Sequence, residues 1–239
     1  MNLTHSGKIT LFTSLKYIHN NCQIFMKILP QKTVERLSEY RRTLYTCLDD
    51  GKSYIYSHEL ADIHNITAVQ VRRDIMFIGY STSNRKGYNV QELIQVISKI
   101  IDPVEVYNVC VVGFGNLGKA ISTYFIGKRP QLNLVATFDL DPKKIGNEIN
   151  GVKCYSIDRL REIVANRNIT IGILTVPVYS AQDMAKAMVK AGIKGILNFT
   201  TVILNVPDEI YLEEYDMITS MEKVAYFVKN KTKKVRRRK

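Results

Sequence analysis

The chain has 239 residues, of which 46% are hydrophobic and 23% charged, as is typical of one or two folded domains. It contains no apolar run of about 18 residues, and its first residues lack a signal-peptide pattern, so we expect a cytoplasmic protein without a membrane span. The four cysteines are widely spaced and have no histidine partners at ligand spacing. The sequence therefore predicts neither a metal site nor a disulfide framework.

The net charge of +12 is unevenly distributed along the chain. Residues 1–101 carry +5, residues 102–228 carry −1, and the last 11 residues carry +8. We therefore expect a polyanion as the partner of the two ends, although a basic tail is equally compatible with a plain solvated terminus.

The N-terminal part reads as a helical domain preceded by an extension, residues 1–25, without clear periodicity. Apolar residues recur at three- and four-residue steps over residues 33–48, which predicts an amphipathic helix. A second helix is expected from Ser57, as its N-cap, to His64. A third should follow Thr67, which stands at capping-box spacing from Gln70.

Two short helices joined by a turn of three or four residues form a helix-turn-helix, whose second helix enters the major groove of DNA. That helix would carry Gln70, Arg72 and Arg73 near its start. Glutamine is suited to adenine, and arginine to guanine or phosphate. The same helical geometry also occurs in proteins that bind no DNA.

The segment after the third helix is polar and contains Arg85, Lys86 and Tyr88. It predicts a β-hairpin wing that contacts DNA, with an ordinary exposed loop as the alternative. A further helix over residues 90–101 leads to Asp102-Pro103, where proline and a change in periodicity mark a domain boundary. We thus expect a winged helix-turn-helix domain over residues 26–102.

From Val106 onwards, apolar β-branched runs alternate with amphipathic helices. This alternation predicts an α/β domain with a Rossmann-type, doubly wound parallel sheet over residues 103–219. Residues 220–239 would then form a C-terminal helix and basic tail. The expected strands span residues 106–112, 132–138, 152–155, 169–176, 195–199 and 216–219.

The first strand leads into a glycine-rich turn and a helix, the context in which GxGxxG predicts a dinucleotide site. The turn comprises Gly113, Phe114, Gly115, Asn116, Leu117 and Gly118. Its three glycines would permit the tight turn, the approach to a pyrophosphate and helix packing, respectively. Asp139 ends the next strand and would accept ribose hydroxyls, which favours NADH and NAD+ over 2′-phosphorylated forms. The alternative is a packing turn without a ligand.

Later strand ends supply further candidate cofactor contacts, or else ordinary loop starts: Thr175, Val176, Pro177 and Asn198. All four histidines lie in the first third of the chain, and about 20 residues follow the last expected strand, which leaves no substrate domain. This favours a cofactor sensor over an enzyme. A small NAD-dependent oxidoreductase with a fused basic domain remains an alternative, as does a constitutive DNA-binding protein with a vestigial nucleotide fold.

Several strings, in order across both domains, resemble the Rex family of redox-sensing transcriptional repressors over about residues 28–228. They are LPQKTVERLSEYRRTL (29–44), QVRRD (70–74), GYNV (87–90), VGFGNLGKA (112–120), FDLDPKKIG (138–146), TVP (175–177), AGIKGILNF (191–199) and LNVP (204–207).

The resemblance implies a homodimer that binds a palindromic operator, exchanges its C-terminal helix (about residues 220–229) between subunits, and loses DNA affinity on binding NADH but not NAD+. It also implies a charge pair between Arg42 and Asp216 of different subunits, and Tyr124 near the nicotinamide. The chain departs from the family in its wing, residues 81–86, and at Thr200-Thr201, where the family has Ala-Pro.

Overall fold

The computed structural model describes residues 28–81, 87–125 and 131–236. The chain forms two compact units that divide between Asp102 and Pro103, which is where the sequence analysis put the domain boundary. No helix in the described part of the chain combines the length and the apolar character that a membrane crossing requires.

The N-terminal unit contains four described helices and one short sheet. Its elements are α1 (Gln31–Asp49), β1 (Tyr54–Ile55), α2 (Ser57–His64), α3 (Ala68–Phe77), β2 (Tyr88–Asn89) and α4 (Val90–Ile101). The core forms because each helix buries one apolar face, as Leu37, Tyr40 and Leu44 do on α1. The helices that the periodicity predicted are therefore confirmed.

The turn between α2 and α3 has three residues, 65–67, as expected for a helix-turn-helix. Asn65 adopts the left-handed conformation with φ of +53°, and the Thr67 hydroxyl accepts the Gln70 amide at 3.1 Å, so Thr67 is the predicted N-cap. The cap assigned to α2 was wrong. Ser57 is already helical, and the Tyr56 amide donates to the Glu59 carboxylate at 2.7 Å.

The centre of the predicted hairpin wing, residues 82–86, lies outside the described residues. Strand β2 pairs antiparallel with β1, which precedes the helix-turn-helix, with Tyr54 opposite Asn89 and Ile55 opposite Tyr88. The pairing is favoured because it buries Ile55 and Tyr88 in the core of this unit. Arg85 and Lys86 lie outside the described residues.

The C-terminal unit is a seven-stranded sheet with helices. Its elements are β3 (Tyr107–Val112), α5 (Asn116–Phe125), β4 (Leu132–Asp139), β5 (Glu148–Ile149), β6 (Val152–Ser156), α6 (Leu160–Asn166), β7 (Ile169–Leu174), α7 (Ala181–Ala191), β8 (Gly195–Asn198), β9 (Tyr211–Glu214) and α8 (Met217–Arg236). The strand order is β5-β6-β4-β3-β7-β8-β9. All neighbours are parallel except β5 and β6.

Without the two-residue β5, the six parallel strands run 3-2-1-4-5-6 in chain order, which is the Rossmann arrangement. The order reverses between β3 and β7, which start the two halves and lie side by side. Ligands bind such sheets at this position, beyond the carboxyl ends of the strands. The predicted fold class is therefore confirmed.

The end of this unit departs from the prediction. Residues 216–219 form no strand, because Asp216 caps α8 instead. Its carboxylate accepts the amides of Ile218 at 2.8 Å and Thr219 at 3.2 Å and the Thr219 hydroxyl at 2.5 Å. These three donors stabilise the start of the C-terminal helix at Met217, three residues earlier than expected.

Candidate functional site

A cleft of about 680 Å³ opens in the C-terminal unit beyond the carboxyl ends of β3, β4 and β7. It lies at the switch point of the sheet. The cleft is lined by Val112, Gly113, Gly115, Asn116, Leu117, Phe138, Asp139, Leu140, Asp141, Lys144, Ile157, Thr175, Val176, Pro177, Tyr179, Ser180 and Met184. This volume is within the usual range for a small-molecule or cofactor site.

The glycine turn at the cleft has the geometry that its sequence predicts. Gly113 has φ of +102°, and a Cβ there would lie 2.7 Å from the Thr175 carbonyl oxygen. A Cβ on Gly118 would lie 2.0 Å from the Gly113 carbonyl oxygen. The Thr175 hydroxyl holds the turn by donating to the same Gly113 oxygen at 2.7 Å. No side chain fits at either glycine without displacing backbone.

The cleft fits a dinucleotide at its phosphate-binding end. A Cβ on Gly115 would meet no protein atom within 4 Å, so the space beside this backbone is open to a ligand. Helix α5 begins at Asn116, and the first amides of a helix have no acceptor within it. A pyrophosphate would supply the acceptors and the negative charge that such a helix terminus favours.

Asp139 lies at the end of β4, and its carboxylate is already well supplied with donors. It accepts the Phe114 amide at 2.7 Å, the Asp141 amide at 2.9 Å and the Lys144 ammonium at 3.0 Å. Burial alone would raise the pKa of Asp139, but these three hydrogen bonds outweigh it and hold the pKa below its usual value. The group is therefore a carboxylate at neutral pH, as a ribose acceptor must be.

The predicted cofactor residues fall into two groups. Lining the cleft are Gly113, Gly115, Asn116, Leu117, Asp139, Thr175, Val176 and Pro177. Phe114 and Gly118 instead shape the turn, since the Phe114 ring is buried and only its amide serves Asp139. Tyr124 is exposed on α5 and is not among the lining residues, so its place near the nicotinamide stays a prediction.

The geometry does not support the predicted cofactor contact at Asn198. Its side chain is fully buried, its oxygen accepts the amide and hydroxyl of Thr200 at 2.9 and 2.7 Å, and its nitrogen donates to the Val202 carbonyl at 2.9 Å. These bonds fix the turn after β8. Asn198 therefore has a structural function, and no part of it lines the cleft.

Sequence reasoning missed nine lining residues: Val112, Phe138, Leu140, Asp141, Lys144, Ile157, Tyr179, Ser180 and Met184. Lys144 had a usable signal, since it follows Asp139 by five residues in a segment that leaves the strand. The others come from the ends of β3 and β4, from loops and from the start of α7, where periodicity does not show which side faces a ligand.

The N-terminal unit presents two arginines on α3. Arg72 and Arg73 are both exposed, and the Arg72 guanidinium donates to the Ser57 hydroxyl on α2 at 3.0 Å. Both residues are therefore accessible to a DNA duplex. Gln70 is engaged differently from the prediction: its side-chain nitrogen donates to Asp74 at 2.9 Å and does not reach back to Thr67.

A buried carboxylate holds α3 against α1. Asp74 is 1% exposed and accepts two hydrogen bonds from the Arg36 guanidinium, at 2.6 and 2.8 Å, and one from the Tyr40 hydroxyl at 2.9 Å. Burial by itself would raise the pKa of Asp74, but the donors from Arg36, Gln70 and Tyr40 lower it. The network fixes the helix that carries the two exposed arginines.

Three further residues were predicted to contact DNA or to form a charge pair between subunits. Tyr88 is 8% exposed, and burial raises its pKa; its ring belongs to the core, so the predicted DNA contact is not supported. Arg42 is exposed on α1. Asp216 is occupied as the cap of α8. An ion pair between Arg42 and the partner's Asp216 therefore stays a prediction.

Two family models match the chain, one on each unit. The "Putative DNA-binding protein N-terminus" model matches residues 28–75, which include α2 and most of α3. The "CoA binding domain" model matches residues 104–202, which include the glycine turn and the cleft.

Curated relatives match over most of the chain. A redox-sensing transcriptional repressor Rex from Carboxydothermus hydrogenoformans is 38% identical over 201 residues, covering 84% of this chain and 97% of the relative. The Rex of Bacillus subtilis is 36% identical over 202 residues, covering 84% and 93%.

Solved structures agree with the sequence relatives. The crystal structure of RSP, a Rex-family repressor, has a TM-score of 0.80 at 34% identity and covers 86% of this chain and 97% of its own. RSP in complex with NAD+ and operator DNA has a TM-score of 0.79 at 34% identity, covering 88% and 98%. The chain therefore belongs to the Rex family of redox-sensing transcriptional repressors.

Proposed function

We propose that this repressor binds operator DNA through α3 and releases it when NADH occupies the cleft, whereas NAD+ leaves it bound. The observation that carries the proposal is the combination, in one chain, of exposed α3 arginines and a cleft with a glycine turn and a carboxylate. Crystal structures of RSP contain NADH in one case, and NAD+ with operator DNA in another. We assign the protein to the cytoplasm, the compartment of a bacterial operator.

DNA binding uses the exposed face of α3. Arg72 and Arg73 are suited to guanine edges or phosphates. Their helix is fixed to α1 by the bond between Asp74 and Arg36, and to α2 by the bond between Arg72 and Ser57. Arg85 and Lys86 in the wing, together with the basic C-terminal tail, would add phosphate contacts that raise affinity for any duplex.

Different groups in the cleft bind the pyrophosphate and the ribose of the dinucleotide. The Gly115 backbone and the start of α5 take the pyrophosphate, and Asp139 takes ribose hydroxyls. Apolar side chains, among them Ile157, Val176 and Met184, line the remainder. When bound, NADH brings an uncharged nicotinamide where NAD+ brings a cation, so an apolar pocket distinguishes the two by the cost of burying charge.

The coupling that this requires is modest. A ligand shifts a conformational equilibrium only through its different affinities for the two states. A hundredfold loss of operator affinity corresponds to about 2.7 kcal/mol, which is within the usual allosteric range. Binding alone therefore suffices, and no turnover of the cofactor is needed. Since the relatives are repressors, the oxidoreductase alternative is set aside.

We also propose a homodimer on a palindromic operator. Helix α8 exposes more than half of each of Met217, Met221, Val224 and Phe227. The sheet has a separate apolar cleft of about 280 Å³ lined by residues that include Val109, Ile171 and Ile173. Exchange of α8 between two copies would cover apolar surface of both kinds, and a twofold dimer matches a palindrome.

The decisive experiment is a titration of operator binding with each cofactor. A duplex selected from a random pool by the cofactor-free protein is labelled, and its affinity is measured by fluorescence anisotropy at fixed salt. We expect NADH to weaken binding by a hundredfold or so, and NAD+ to leave it nearly unchanged. Equal effects of the two cofactors would contradict redox sensing, and no effect of either would support a constitutive DNA-binding protein.

A further inference from the structure

A lysine in the cleft contacts the carboxylate that selects the cofactor. The Lys144 ammonium lies 3.0 Å from Asp139, and the two side chains are 30% and 11% exposed. Both residues line the cleft. The backbone of Lys144 is fixed by a turn in which its amide donates to the Asp141 carbonyl at 3.0 Å.

The carboxylate has little capacity left for a ligand. A carboxylate offers about four acceptor positions, and three donors already occupy Asp139. Two of these donors, from Phe114 and Asp141, are backbone amides that cannot leave without unfolding the turn. A ribose with two free hydroxyls would therefore compete with Lys144, whose flexible ammonium can move to a neighbouring oxygen.

The charge balance at this end of the cleft depends on the same lysine. Asp139 and Asp141 are the acidic lining residues, and Lys144 is the basic one. With the ammonium present, the formal charge of the three groups is −1; without it, the charge is −2. A 2′-phosphate on the adenosine ribose would enter this field, whereas a 2′-hydroxyl would be almost indifferent to it.

We propose that Lys144 limits the discrimination against a 2′-phosphate, so that the cleft takes NADPH as a second, weaker ligand beside NADH. This inference rests on the proposed function, because it concerns the same site. NADH stays preferred, since the remaining charge is negative. Lys144 is thus a specificity-determining residue: it offsets the repulsion that Asp139 would otherwise exert and offers the phosphate a cation.

Direct binding of NADH and NADPH to the full chain, measured by isothermal titration calorimetry at low salt, tests the assignment. In Lys144→Met we expect the NADPH-to-NADH ratio of dissociation constants to rise by about tenfold, the effect of roughly one unit charge near a protein surface. Lys143→Met is the matched control. It removes the same charge from the adjacent, exposed residue outside the cleft, and should leave the ratio unchanged.

The outcomes are separable. Lys144→Arg keeps the cation and should keep the wild-type ratio. A Lys144→Met variant that binds both dinucleotides more weakly by the same factor would overturn the inference, because Lys144 would then be a general ligand. So would an unchanged ratio with normal NADH binding. If the wild-type chain bound neither dinucleotide, the proposed function itself would fail.

Discussion

At the scale of single residues, Asp74 carries the strongest prediction in the N-terminal unit. It is almost fully buried and satisfies four donors from Arg36, Tyr40 and Gln70. Asp74→Asn keeps the shape but leaves the Arg36 guanidinium without a counter-charge. We expect a loss of about 2–4 kcal/mol in the free energy of unfolding, measured by urea denaturation at pH 7.

The pH dependence gives the control for that variant. The pKa of Asp74 is lower in the folded chain than in the unfolded one, so its ionisation stabilises the fold above the unfolded pKa, about 3.9. This stabilisation is lost as the pH falls through the folded pKa. The stability difference between wild type and Asp74→Asn should therefore be constant from pH 5 to 7 and shrink below about pH 4. A difference that persists in strong acid would show that charge is not the cause.

The glycines of the turn provide a matched pair. Gly118→Ala places a Cβ 2.0 Å from a backbone oxygen, so α5 must shift and the fold should lose about 1–3 kcal/mol. A Cβ at Gly115 meets no protein atom, so Gly115→Ala should fold normally and lose NADH affinity only. Thermal denaturation and calorimetric titration distinguish the two. Normal NADH binding by Gly115→Ala would place the pyrophosphate elsewhere.

At the scale of elements, helix α3 carries residues of two kinds: arginines that are expected to contact bases, and residues that hold the helix in place. Arg73→Ala should cost about 1–3 kcal/mol of operator binding and relax the preference at one base pair, if the side chain reads a base edge. Gln70→Ala should weaken binding equally for every base substitution if Gln70 acts by holding Asp74, to which its side-chain nitrogen donates. Binding of a set of singly substituted operators measures both. Arg161→Ala, exposed on α6, is the control.

The elements also define how far the sequence could predict the structure. Periodicity and capping were sufficient for α1 and α3, because helices depend on neighbours along the chain. Apolar runs located five of the six parallel strands, but β9 (Tyr211–Glu214) was missed. The glycine turn was predictable because Gly113 and Gly118 occupy positions at which a Cβ would clash with backbone atoms.

The structure does not support the ligand contacts predicted for Tyr88 and Asn198. Tyr88 is buried through a strand pairing with a segment distant in sequence, where Ile55 lies opposite it. Asn198 bonds to the loop directly after β8, and a polar residue at a strand end does not reveal whether its side chain faces a ligand or its own loop.

Lys144 and Asp216 illustrate the remaining limit. Both are polar residues beside loops, and periodicity assigns no partner to such positions. Aspartate is a favoured helix N-cap, but the strand expected at residues 216–219 left no helix start at Asp216 to be capped. Lys144 reaches Asp139 only through the fold of the turn between them.

At the scale of the whole molecule, helix α8 predicts the oligomeric state. Its exposed apolar side chains would make a free monomer less soluble. We therefore expect light scattering to give the mass of a dimer, twice the 27.4 kDa of one chain. Phe227→Asp should shift the population towards the monomer and weaken operator binding. Glu222→Lys, exposed on the same helix, should leave the mass unchanged. A monomeric wild type with full operator affinity would contradict the dimer.

The basic tail is expected to raise the affinity for any DNA duplex without adding sequence specificity. Deletion of residues 230–239 removes seven cations from the end of the chain. If these cations bind phosphates, their removal should weaken binding to operator and random duplex by the same factor, because phosphates carry no sequence information. The slope of log affinity against log salt should fall by about 0.9 for each phosphate that the tail neutralises in the intact protein. A tail with the same residues in scrambled order should restore both values. Weakened operator binding with random binding intact would instead mean that the tail reads sequence, and α3 would then share base recognition with it.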